Sequence, residues 1–74
     1  GNTVASLNEA KAGDLAFFSN NAGKIVHVGI LLSKDSIVHA SAYVRLDKID
    51  AKGIFRVEDG VYSHSLKQIR RFFI

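Results

Sequence analysis

The stretch KIVHVGILLSKDSIVHAS, residues 24–41, contains two of the three histidines of this 74-residue chain. His27 and His39 each lie in a run rich in valine and isoleucine, and a short polar segment, residues 33–36, separates the two runs. This pattern predicts two antiparallel strands joined by a tight turn. A buried imidazole needs partners for its ring nitrogens. The two histidines are therefore either satisfied core residues or groups that the strands hold in place for chemistry.

The remaining sequence adds a helical turn and further strands to this hairpin. Ser6 and Glu9 have the spacing of a capping box, which predicts a single helical turn over Leu7 to Lys11. Apolar or alternating segments predict strands over residues 15–19, 25–32, 37–41, 43–49 and 66–74. This order predicts a mostly β chain, a small and partly open antiparallel barrel of five or six strands with one short N-terminal helical turn.

Two of these strands have patterns that predict their surroundings. Residues 25–32 are apolar at nearly every position, so we expect this strand to be buried on both faces. Residues 43–49 alternate, with Val44 and Leu46 set against Arg45 and Asp47. We expect an edge strand there, with the two charged side chains on a solvated face.

Composition limits the class of protein. With 47% apolar residues and no proline, the chain is globular, and its 74 residues make at most one unit, 1–74. It has no cysteine, so it offers neither a disulfide nor a thiolate. The net charge of +3 is scattered, so we expect no nucleic-acid partner. No apolar run approaches the ~20 residues of a membrane span, and no targeting signal is visible.

Several kinds of chemistry could use the histidines. A zinc site needs three or four ligands, and His27, His39 and His64 lack the close spacing that brings ligands together, so we expect no metal and no cofactor. No serine lies on a strand-to-helix elbow that would expose a nucleophilic hydroxyl. A third possibility is a general-base histidine, oriented by a second polar residue, that serves a nucleophile outside this chain. His64 has no assignable role, and we expect it at the surface or at a hairpin end.

The third possibility gains support from a resemblance. GDLAFF (13–18), KIVHVGILL (24–32) and IVHAS (37–41), in this order, resemble the C-terminal half of NlpC-type cell-wall cysteine peptidases. YVRLDKI (43–49) and YSHSLKQIRR (62–71) are similar to strands of bacteroidal dipeptidyl-peptidase-like members. The resemblance implies an α+β fold, of which residues 1–74 would be the C-terminal half. The nucleophile of such enzymes lies in an Asp-Cys-Ser-Gly-type motif that opens a helix on the N-terminal side of this region.

The resemblance also implies roles and partners. His27 corresponds to the general base, and His39 corresponds to the polar residue that orients it. The implied activity is hydrolysis of the γ-D-glutamyl–diamino acid bond in peptidoglycan stem peptides, in the cell envelope or outside the cell. The alternative is a non-catalytic barrel that binds a cell-wall peptide or a protein. In either case we expect an exposed apolar strip beside His27, covered by the missing N-terminal half or by a self-dimer.

The strand register makes contact between the two histidines difficult. A two-residue turn at Lys34-Asp35 would place His27 and His39 on opposite faces. With a three-residue turn they share a face, but we expect them about four residues apart along the strands, roughly 13 Å at ~3.3 Å per residue. Contact would then require a bulge or sharp bending. Gly29 is expected to make room for a substrate or for the nucleophile helix.

Overall fold

The computed structural model describes residues 1–41 and 43–73 of the chain. Ile74, which the sequence places at the end of the last strand, lies outside the described residues. The elements in chain order are β1 (Asn2–Val4), the 3₁₀ turn η1 (Leu7–Glu9), β2 (Leu15–Ser19), β3 (Ile25–Leu31), β4 (Ser36–Ser41), β5 (Tyr43–Asp50), β6 (Gly53–Arg56) and β7 (Val61–Arg71).

Six strands close into an antiparallel barrel. Neighbouring strands run in the order β7-β2-β3-β4-β5-β6, and β6 pairs back onto the beginning of β7. β1 pairs with the other end of β7, with Val4 opposite Ile69. Closure pairs the outer strands of the sheet with each other, which is one way for a small β chain to avoid exposed strand edges.

β7 contacts three other strands because it is long and bent. Its register shifts opposite Ile54 and Phe55 of β6, and again opposite Phe17 and Phe18 of β2. Such irregularities increase the local twist and bend a strand. Gly53 lets β6 approach closely: its φ is 146°, and a Cβ at this position would lie 1.8 Å from the carbonyl oxygen of His64. Only glycine fits there, so β6 can pair beside His64.

The structure confirms a mostly β antiparallel barrel and corrects several features of the predicted fold. The barrel is closed, not partly open, because β6 and the beginning of β7 form strands that the sequence did not predict. The predicted helical turn is a 3₁₀ turn, and Ser6 makes no side-chain capping hydrogen bond to it.

Helical structure is otherwise missing from the described part of the chain. Within residues 1–41 and 43–73, η1 is the only helical element, so the implied α+β class is not seen there. In those same residues, no helix has the length and apolar character needed to cross a membrane.

The apolar core fills the barrel interior towards one end. Its buried members come from all six strands of the barrel: Ala16, Phe18, Leu31, Ile37, Ile49, Ile54 and Ile69. Val4, Leu7 and Ala10 pack against this cluster, so β1 and η1 cover that end of the barrel. The other part of the interior contains the histidines.

The sequence predicts that β3 is buried on both faces, but the structure buries only one. His27, Gly29 and Leu31 face the interior, whereas Val28 and Ile30 on the outer face are 47% and 49% exposed. A closed barrel has only one interior, so one face of every strand lies outside it. The apolar strip that we expected beside His27 is therefore on the opposite face of its strand.

β5 is the reverse of the predicted edge strand. It pairs with β4 on one side and with β6 on the other. Asp47 is buried and Arg45 is largely covered, whereas Val44 and Leu46 are 74% and 62% exposed. The side chains of Arg45 and Asp47 point inward because Asp47 forms hydrogen bonds there with both Arg45 and His39.

Candidate functional site

The rings of His27 and His39 are in contact. His27 Nε2 lies 2.9 Å from His39 Nδ1. Gly29 pairs with His39 and Leu31 pairs with Ile37, a register that follows from a three-residue turn. In this register His27 is two residues from the position opposite His39, not four as we expected. Diagonal neighbours of this kind are about 7–8 Å apart, with their Cβ atoms somewhat closer, within reach of two imidazoles. Contact needs no bulge between β3 and β4.

A second diagonal step extends the contact to β5. His39 pairs with Arg45, and the side chain two residues further along β5 is Asp47. His39 Nε2 lies 2.8 Å from Asp47 Oδ2, with both side chains buried. His27, His39 and Asp47 thus form one hydrogen-bonded chain that crosses three strands diagonally.

The Asp47 carboxylate is held by three donors. His39 Nε2 and Arg45 Nε both reach Oδ2, and the backbone N–H of Val57 donates to Oδ1 at 3.0 Å. Burial alone would raise the pKa of Asp47, but these hydrogen bonds, with Arg45 foremost, lower its pKa below the ordinary value. Asp47 is therefore an anion at neutral pH, and it can only accept hydrogen bonds.

The anion determines which nitrogens carry protons. Because Asp47 only accepts, His39 Nε2 carries a hydrogen, and in neutral His39 the other nitrogen, Nδ1, is an acceptor. His27 Nε2 must then be the donor in the His27–His39 bond. In neutral His27 this leaves a lone pair on Nδ1. The chain of hydrogen bonds thus selects the tautomer in which His27 Nδ1 can accept a proton.

His64 is a member of this cluster and not a surface or hairpin-end residue as expected. Its ring stacks on that of His27, with centroids 3.9 Å apart and planes at 19°. Ser63 Oγ lies 2.8 Å from its Nδ1. Phe18 completes the surroundings, with its ring centroid 5.7 Å from that of His27 and 6.0 Å from that of His64. The stacked rings of His27 and His64 therefore both lie beside the ring of Phe18, a buried core residue.

The surroundings favour the neutral forms of His27 and His64. Burial, together with the neighbouring His64 and His39, lowers the pKa of His27 to about 4. Burial also lowers the pKa of His64, with smaller contributions from His39 and Arg56. Neutral imidazoles can be close neighbours, whereas two imidazolium ions at these distances would repel each other.

The sequence suggested that Gly29 leaves open space for a substrate or a helix, but residues of β4 occupy that space. A Cβ added there would lie 2.6 Å from Ile37 Cδ1 and 3.1 Å from His39 Cβ. The missing side chain leaves room for these two residues of β4. Gly29 therefore positions His39.

Sequence reasoning found two members of the cluster and missed two. His27 and His39 were identified from their apolar strands and from the resemblance. The sequence pattern predicts a solvated face for Asp47 because Asp47 alternates with valine and leucine, and His64 lies far along the chain. One signal was available for Asp47: a carboxylate between apolar neighbours on a strand next to that of His39 is a candidate partner for the imidazole.

The three imidazoles also lie close together, which the spacing of the histidines in the sequence did not suggest. One ligand nitrogen from each of His27, His39 and His64 lies within 4.8 Å of the others. Strand pairing brings them together from β3, β4 and β7. The expectation that these residues could not converge was therefore wrong.

One comparison with known proteins identifies a relationship. The model of the family described as NlpC/P60 matches residues 1–71. Searches among curated proteins and among solved structures gave no significant match.

Proposed function

The chain belongs to the NlpC/P60 family, and from this premise we propose that it supplies the general base and the orienting residues of a cell-wall cysteine peptidase. His27 is the base, and His39 and Asp47 orient it. The observation that carries the proposal is the hydrogen-bonded chain from His27 Nε2 through His39 to Asp47. The proposed substrate is a peptidoglycan stem peptide, cleaved at its γ-D-glutamyl–diamino acid bond in the cell envelope or outside the cell.

The nucleophile must come from polypeptide outside these residues, since they include no cysteine. In the proposed reaction, the thiol of that cysteine transfers its proton to His27 Nδ1, and the thiolate attacks the carbonyl carbon of the scissile amide. His27 then passes the proton to the leaving amine, and an acyl-enzyme forms. Water, deprotonated by His27, hydrolyses the thioester and regenerates the thiol.

His39 and Asp47 support both halves of this cycle. They keep the proton of neutral His27 on Nε2, so that Nδ1 is free to accept another. When His27 becomes an imidazolium, its Nε2–H still donates to His39, and the Asp47 anion lies at the end of the chain. This arrangement orients the base and stabilises its charged form, as the third member of a catalytic triad does.

The lowered pKa of His27 fits a base that acts on a thiol. With a pKa of about 4, the ring is neutral at pH 7 and able to accept a proton. A thiolate nearby would raise the pKa of His27, because an opposite charge favours the imidazolium. The negative charge of the nucleophile would therefore stabilise the protonated form of His27 during the reaction.

A peptidase assay tests the proposal. The product of the complete natural reading frame is expected to hydrolyse L-Ala-γ-D-Glu-diamino acid peptides, and the 74-residue chain alone is expected to be inactive. His27→Ala in the complete product should lower kcat by about 10²–10⁴-fold. Hydrolysis by a clean preparation of the 74-residue chain, abolished by His27→Ala, would contradict the requirement for an outside thiol.

A non-catalytic binding barrel is the second candidate function, and the outer face of the sheet favours it. Leu15, Ile30, Val38 and Leu46 form a directly paired apolar row across β2, β3, β4 and β5. Apolar rows of this kind are common in protein interfaces. A complete product that folds and binds stem peptide but cleaves none, with or without His27→Ala, would favour this second function.

A further inference from the structure

We propose that His27, His39 and His64 form a binding site for a divalent transition-metal ion, with Zn²⁺ as the best match. The ligand nitrogens would be His27 Nε2, His39 Nδ1 and His64 Nε2. All three side chains present a ligand atom within 4.8 Å of the others. Binding of the ion does not depend on the proposed peptidase function.

The distances suit three nitrogens on one ion after small movements. Zn–N bonds are about 2.0–2.1 Å, so two nitrogens on a tetrahedral zinc ion are about 3.4 Å apart. His27 Nε2 and His39 Nδ1 are 2.9 Å apart and need only separate slightly. The rings of His27 and His64 are nearly parallel, so one of them must turn to direct its in-plane lone pair at the ion. His27 and His64 are both partly exposed, whereas His39 is buried, so the turning ring is one of the two stacked imidazoles.

The second ring nitrogens of His39 and His64 already have partners of the kind found in metal sites. Metal-bound histidines usually give their other N–H to a carboxylate or another oxygen, which fixes the tautomer and the ring orientation. Asp47 takes this role for Nε2 of His39, and Ser63 Oγ lies beside Nδ1 of His64. These partners leave His39 Nδ1 and His64 Nε2 as the ligand atoms.

The ligand set indicates the class of metal. Neutral imidazoles suit Zn²⁺, Cu²⁺ and Ni²⁺, whereas Mg²⁺ and Ca²⁺ need several oxygen ligands. The nearest carboxylate, that of Asp47, already accepts hydrogen bonds from His39, Arg45 and Val57. The partly exposed side of the cluster gives the ion a path from solvent.

Metal binding and base catalysis exclude each other at His27, a consequence that rests on the proposed function. An ion on Nε2 takes the lone pair of that nitrogen, so the ring proton must move to Nδ1. Nδ1 is the nitrogen that would otherwise accept the thiol proton. The metal-bound chain thus has no base at this position, and zinc would act as an inhibitor of the complete peptidase.

The test uses the 74-residue chain and ZnCl₂ alone, without any peptide substrate. Isothermal titration calorimetry is expected to show one ion bound per chain, and ring-nitrogen NMR is expected to show shifts at the three ligand nitrogens. His64→Phe keeps an aromatic ring against His27 and removes one ligand, so affinity should fall by at least tenfold. Asp47→Asn should weaken binding about 10–100-fold through the orientation of His39.

Matched controls separate this site from nonspecific binding. Glu58→Gln removes an exposed carboxylate near Arg45 and should leave zinc affinity unchanged. If His64→Phe remains folded by NMR and binds zinc as well as the unmodified chain, or if zinc shifts only surface carboxylates, the proposal is wrong. The unmodified chain should also gain thermal stability with zinc. A chain that binds no zinc but shows the His27 Nδ1 lone pair by NMR would refute the metal site and leave the proposed function intact.

Discussion

Gly29 lies directly opposite His39 in the pairing of β3 and β4, and a Cβ at residue 29 would lie 3.1 Å from His39 Cβ. His27 and His39 are diagonal neighbours in this same pairing, so the contact between their rings depends on close packing at Gly29. A substitution at Gly29, which has no side chain to take part in catalysis, is therefore a direct test of the histidine pair.

Gly29→Ala is expected to destabilise the barrel and disturb the histidine pair. The added methyl group would overlap Ile37 Cδ1, at 2.6 Å, and press on His39. Overpacking of this kind costs about 1–3 kcal/mol, measurable as a lower free energy of unfolding in urea. Ala40→Val, on the outer face of β4, is the control and should change stability by about 0.5 kcal/mol or less. Equal effects of the two variants would contradict close packing at Gly29.

Asp47→Asn is expected to weaken the hydrogen-bonded chain and the fold together. The amide loses the charge that Arg45 and His39 both contact, which leaves the largely covered guanidinium with the exposed Glu58 carboxylate in place of its buried anion. We expect a loss of about 2–3 kcal/mol in the free energy of unfolding. Ring-nitrogen NMR should show that neutral His39 no longer keeps its hydrogen mainly on Nε2.

Glu58→Gln is the matched control for Asp47→Asn. Glu58 also pairs with Arg45, at 3.0 Å, but its side chain is 60% exposed. Exposed ion pairs contribute about 0–1 kcal/mol. If the two substitutions reduced stability equally, the buried position of Asp47 would have no special weight in this network.

Stability is expected to fall as the pH is lowered from 7 to 4, because folding lowers the pKa of His27. The unfolded chain takes up a proton at this residue near pH 6.5, whereas the folded chain resists protonation until about pH 4. The contribution is therefore fully present above pH 6.5 and is lost between these two values. After allowance for solvent screening, the loss from His27 is about 2 kcal/mol, and His64 adds a loss of the same sign.

Urea unfolding at several pH values, with a chelator present, measures this loss. His27→Phe removes one titrating group and should reduce the pH dependence between pH 6.5 and 4, leaving the contribution of His64. A free energy of unfolding that does not change over this range in the unmodified chain would show that His27 is solvated and not held in the cluster.

The outer apolar face is expected to mediate association of the 74-residue chain with itself. Leu46 is 62% exposed in a row of paired apolar side chains, which is costly to leave in water. Leu46→Lys should weaken association about tenfold, measured by sedimentation velocity over a range of concentrations. Asn21→Lys, in the loop between β2 and β3, adds the same charge elsewhere and should have little effect. An unmodified chain that stays monomeric at all concentrations would count against this use of the face.

Local sequence determined where several strands lie. β2, β3 and β4 agree with their predicted positions to within a residue at each end, because apolar, β-branched runs favour extended backbone and polar turn residues end them. The same runs identified His27 and His39 as unusual. These properties depend on residues close together in the chain, so a single sequence is sufficient to reveal them.

Tertiary structure alone decided which side chains meet. Closure of β6 onto β7 brings His64 against His27, and the three-residue turn sets the diagonal from His27 to His39. Asp47 faces inward, against the usual expectation for a carboxylate, because His39, Arg45 and the Val57 N–H compensate for its burial. Such choices depend on strand register and on hydrogen-bond partners distant in the chain. The free energy that favours these contacts arises only when the whole barrel is closed, so residues close together in the chain do not determine it.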